Sequence, residues 1–144
     1  MSKHRVTFAR ETDDRDAWEV FLDGECVGIL GRTFRERFSA THGFVQDRDR
    51  ACRWSYASLE RGSIATQGLG KDLNGADART VQAHVRKLFQ IEAATHLAMR
   101  VLNYEERDVS AAQRALEDGR VLARELGRTK WASLMGQALE LLLT

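Results

Sequence analysis

Residues 78–104, ARTVQAHVRKLFQIEAATHLAMRVLNY, contain neither glycine nor proline. At about 100° per residue, Val81, Val85, Leu88 and Phe89 share a narrow sector in the first half. In the second half Ile91, Ala94, Leu97, Ala98, Val101 and Leu102 centre on a direction roughly 140° further round. A helix lying on one surface keeps one apolar stripe, whereas a stripe that turns indicates two different neighbours. The stretch therefore predicts one long helix. Its first half would lie on a β-sheet made by preceding residues, and its second half would be covered by helices that follow. The alternative is a break near Gln90, giving two shorter helices. Asn74 or Asp77 offers a side-chain oxygen for the N-cap.

Upstream, 17–22 and 25–30 are alternating runs on either side of Asp23-Gly24, a two-residue hairpin turn in which both positions take positive φ. The simplest register sets Leu22 against Glu25, Val20 against Val27 and Trp18 against Ile29, all on the core face, with Phe21, Cys26 and Leu30 on the other. Val6–Arg10 reads as a strand, Glu11–Asp16 as an acidic turn, Ala51–Leu59 as a further strand, and 63–67 as a short one. Between them, Thr33–Phe38 is expected to make a helical turn with Phe34 above Phe38, and His42-Gly43 a turn. Residues 68–75 form a glycine-rich connector.

Downstream, Val109, Ala112, Leu116, Gly119, Ala123 and Leu126 share the face of a second helix, with Asp108 as N-cap and Gly127 just past its end. Gly119 on the apolar side predicts a close helix crossing. Thr129 can cap a last helix whose apolar residues span roughly 200°, too wide for one contact. Trp131, Leu134, Met135, Leu139, Leu141, Leu142 and Leu143 are therefore expected to form a homodimer interface.

The fold expected is α+β: an antiparallel sheet of about four strands packed on a long central helix, followed by a C-terminal helical pair. The 144 residues are read as a single domain, with a β-sheet half at 1–75 and a helical half at 76–144. A net charge of +1, balanced in both halves, supplies no basic field for non-specific DNA binding. Two cysteines make neither a disulfide framework nor a zinc site. The charged N-terminus does not resemble a signal peptide and no apolar run spans a membrane, so a cytoplasmic protein is expected.

Catalytic and ligand-binding motifs fail on spacing. Gly70-Lys71 lacks the earlier glycine and the following Ser or Thr of a phosphate loop, and Gly75 comes too late for a dinucleotide fingerprint. Glu92, His96 and Arg100 stand one turn apart, but two ligands do not make a metal site, and a salt-bridge ladder is the plainer reading. Asp13, Asp14 and Asp16 lack the glycine and distal glutamate of a calcium loop. The second and last helices do not match a helix-turn-helix, since the last is too apolar for a major groove. No cofactor and no metal is expected.

One stretch stands out. Arg32, Arg35, Arg37, Arg48, Arg50 and Arg53 are interleaved with Phe34, Phe38, Phe44, Trp54 and Tyr56 across residues 31–53. Guanidinium groups beside aromatic faces suit an acidic protein surface or single-stranded nucleic acid. The six arginines and Phe44 are the expected partner-binding residues. The reading favours a small non-catalytic binding protein that contacts a protein or protein–nucleic acid assembly, of the kind represented by inhibitors and accessory proteins of mobile elements. A nucleic-acid-binding module using the same loop is the first alternative. An enzyme with a dispersed site, using His84, Glu92 and His96, is the second.

Overall fold

The computed structural model describes residues 5–48, 50–59, 69 and 73–143. Among them the chain forms β1 (Val6–Arg10), β2 (Ala17–Leu22), β3 (Glu25–Thr33), β4 (Glu36–Ser39), β5 (Gly43–Gln46), β6 (Arg53–Ser58), α1 (Ala78–Leu102), α2 (Val109–Glu125) and α3 (Thr129–Leu143). The fold is α+β. Strands β1-β2-β3-β6, in that order, make a four-stranded antiparallel sheet, and β4-β5 make a separate two-stranded ribbon. The strand expected at 63–67 and most of the connector before α1 lie outside the described residues. Residues up to Val85 form one compact unit and those from Arg86 onward a second.

In the first unit the β2–β3 turn forms as expected, with φ of 53° at Asp23 and 87° at Gly24. The register beyond it differs. Leu22 faces Glu25 and Phe21 faces Cys26, but Val20 then faces Gly28 and Trp18 faces Leu30. Val27 is the extra residue of a β-bulge, which shifts the parity of everything after it. Val27 and Leu30, three apart and on opposite faces of a regular strand, are both buried, and Ile29 is only half-buried. Gly28 sits where Tyr56 of β6 crosses β3; a Cβ there would run into the Tyr56 ring and the Ala57 carbonyl.

Helix α1 runs unbroken through Gln90. Asp77 is its cap: the Thr80 N–H donates to Asp77 Oδ1 at 2.9 Å, and hydrogen bonds from the Thr80 side chain and then from this N–H hold that carboxyl below the usual carboxylate range. The buried sector turns as the sequence pattern requires, from Val81, Val85 and Leu88 to Ile91, Leu97 and Val101.

In the second unit α1, α2 and α3 enclose a core around Ile91, Leu97, Leu116 and Met135. Asp108 accepts from the Ala111 N–H at 3.1 Å and caps α2. The chain leaves α2 through Gly127 at φ 71°, with Arg128 N–H bonded to Ala123 O and Gly127 N–H to Arg124 O. That is the paired bonding of a glycine C-terminal motif. Helix α3 opens at Thr129 itself; the Ala132 N–H donates to Arg128 O, so Arg128 holds the position expected of Thr129. Among the described residues no helix is long and apolar enough to cross a membrane.

Candidate functional site

The Arg/aromatic stretch divides into a structural half and an exposed half. Its centre is Asp16, 8% exposed, at the end of the acidic turn. Arg32 Nε donates to Asp16 Oδ1 at 2.8 Å, and Arg48 donates through both terminal nitrogens, to Oδ2 and to Oδ1, at 3.0 Å each. The hydrogen bonds from Arg48 lead in holding the Asp16 carboxyl at about 2, from an ordinary 3.8, against the opposing effect of burial and with further help from Arg32.

Aromatic rings complete the cluster. The Arg32 guanidinium lies 5.3 Å from the Trp18 ring, 5.6 Å from Trp54 and 5.6 Å from Phe34. Arg48 lies 4.2 Å from Phe34. Trp18 and Trp54 approach to 5.4 Å, and Trp54 Nε1 donates to Ala76 O at 2.8 Å, next to the start of α1. This is an aromatic cage for a cation, filled by the chain's own Arg32. Arg32 and Arg48 are thus committed internally, a correction to their expected role. Arg50 is committed more loosely, 3.3 Å from Asp47 and largely solvated.

The exposed half is the β4–β5 ribbon. The helical turn expected at Thr33–Phe38 does not form, because those residues end β3 and begin β4. His42-Gly43 closes the ribbon, with Gly43 at φ 71°. Phe38 pairs directly with Phe44, and their rings meet edge to face at 5.6 Å. The two are 71% and 74% exposed. Strand alternation puts Arg37 and Val45 on the opposite face. Arg35, Arg37 and Arg53 are exposed and make no ion pair among the described residues. Phe38 is the residue that sequence reasoning left out of the site. Short alternating runs on either side of a glycine turn were the signal for it.

The other expected sets do not assemble as surfaces. Met135 is fully buried in the core of its own unit, and Leu139, 4% exposed, packs in the same core while lining the groove between α2 and α3. Trp131, Leu134, Leu141 and Leu142 pack partly against that core, and Leu143 is exposed. On α1, His84 and Glu92 are eight residues apart, about 12 Å of helical rise, beyond hydrogen-bond reach of one another. Arg100 lies 3.7 Å from Glu106 rather than completing a ladder with His96. No group of three or more metal-ligating side chains occurs among the described residues. Cys26 and Cys52 are both free thiols. Comparison with protein-family models, with curated proteins and with solved structures finds no match to this chain.

Proposed function

We propose that the chain is a non-catalytic binding protein that docks through the β4–β5 ribbon onto an apolar patch of a protein or protein–nucleic acid assembly, in the manner of a small inhibitor or accessory protein. The observation that carries this reading is the solvent-exposed Phe38–Phe44 pair. Adjacent large apolar side chains left in water are uncommon outside contact surfaces. Each ring stands to gain about 1.5–3 kcal/mol when a partner buries it. Arg37, on the other face of the ribbon, and Arg35, just before it, are exposed and add positive charge to this part of the chain.

The pair also has a purely local use, since a cross-strand aromatic contact adds about 0.2–1 kcal/mol to a ribbon. The double substitution Phe38→Thr/Phe44→Thr separates the two, because threonine keeps the strand propensity. Unfolding by urea is expected to change by no more than about 1 kcal/mol. Affinity for the partner captured by the wild-type chain from its native cells is expected to fall about a hundredfold. Unchanged affinity removes the reading.

Arg35, Arg37 and Arg53, exposed and without ion pairs among the described residues, favour direct nucleic-acid binding as a second reading. It requires an affinity for single-stranded DNA or RNA that falls steeply with salt.

A further inference from the structure

Helices α2 and α3 leave a half-open groove of about 510 Å³. Its walls include Glu117, Arg120 and Arg124 on α2 and Thr129, Gly136 and Glu140 on α3. Gly119 lies against Met135, and the two are equidistant in sequence from Gly127, so the helices run antiparallel and in register. The charges along the groove are therefore segregated. Arg124 lies at the turn end and Glu140 towards the open end, while Arg120 and Glu117 lie near the middle.

None of these four side chains makes an ion pair among the described residues. The buried Nε of Arg120 has no hydrogen-bond acceptor among the described residues. Gly136 faces open space, with nothing within 4 Å of where a Cβ would stand. Leu143 is 74% exposed at the open end.

We propose that this groove is the contact surface of a homodimer. Two copies pair α2–α3 against α2–α3 about a two-fold axis across the groove. The axis sets the turn end of each copy against the open end of the other, so Arg124 of each faces Glu140 of its mate. Gly136, near the axis, lets the two α3 helices approach closely. Leu143 of one copy covers the turn end of the other. An acidic peptide would satisfy the arginines but leave Glu140 facing like charge. A second copy meets both signs at once. This surface differs from the one expected from the apolar arc of α3, since Met135 of that arc lies inside.

The test is sedimentation of the full chain over a concentration series, with charge reversals at two exposed positions. Wild type is expected to dimerise. Arg124→Glu and Glu140→Arg are each expected to weaken the dimer about tenfold, because the symmetry breaks every pair twice. The combined variant Arg124→Glu/Glu140→Arg restores the opposite charges across the axis. It is expected to return to within about threefold of wild type. Circular dichroism confirms that each variant keeps its helices. A wild-type chain still monomeric at about 1 mM overturns the proposal. So does a dimer indifferent to the single reversals, or one that the combined swap fails to restore.

Discussion

Asp16→Ala is expected to destabilise the sheet unit by about 3 kcal/mol at neutral pH, the lower end of the cost of breaking a buried ion pair from one side. The lower end applies because the two guanidinium groups it abandons keep some contact with water, at 20% exposure for Arg32 and 32% for Arg48. Part of the loss depends on pH, and its direction follows from the carboxyl being held at about 2 in the folded chain against an ordinary 3.8. The stabilisation is complete above pH 4 and disappears as the pH falls from about 4 to about 2. It amounts to about 2.5 kcal/mol over that range. Asp77, whose carboxyl is also held low, contributes to acid sensitivity in both proteins. The difference between the wild-type and Asp16→Ala pH profiles isolates the contribution of Asp16. Parallel urea-unfolding profiles from pH 2 to 7 would show that the cluster carries no linked stability. Arg48 follows β5 directly, so the same substitution releases the base of the ribbon and should weaken partner binding as well.

Asp16 also marks where the sequence stops being legible. The hairpin turn, the caps at Asp77 and Asp108 and the glycine after α2 are local features, each written in a few consecutive residues. The rotation of the apolar stripe along α1 is local too, and it located the change from sheet to helices. The bulge at Val27 left no local mark, because an extra residue in a strand has no composition of its own and only the partner strand shows the parity shift. The cluster around Asp16 joins residues 16 and 32 positions apart. Neither the acidic turn nor the arginine-rich stretch shows which guanidinium groups are already taken. Composition pointed to a part of the chain whose arginines the folded structure divides between ion pairs and solvent. That Arg32 and Arg48 pair with Asp16 while Phe38, Phe44, Arg35 and Arg37 are exposed shows only in the folded chain.

Gly119→Val is expected to cost about 3 kcal/mol, the upper end for forcing extra atoms into a packed helix interface. The smaller change Gly119→Ala tests the reason by its sign. On an open helix surface alanine in place of glycine stabilises by about 1 kcal/mol. At position 119 the added Cβ would overlap the Cβ of Ala94 on α1 and come within 3.0 Å of the Met135 sulfur on α3. The methionine can swing away, since its side chain is unbranched and flexible. The Ala94 methyl is fixed to its backbone, so the helices themselves must separate. Overpacking should then exceed the propensity gain and leave a net loss of about 1–2 kcal/mol. Removing the opposing methyl relieves the clash, so Ala94→Gly and Gly119→Ala should couple by about 1 kcal/mol or more in a double-mutant cycle. Equilibrium unfolding of the four proteins measures both quantities. If Gly119→Ala stabilised the chain, the α1–α2 crossing would not be as close as the glycine implies. A loss with additive single effects would place the strain elsewhere than at Ala94. A coupled loss would establish that this glycine is kept for the distance between two helices rather than for backbone freedom.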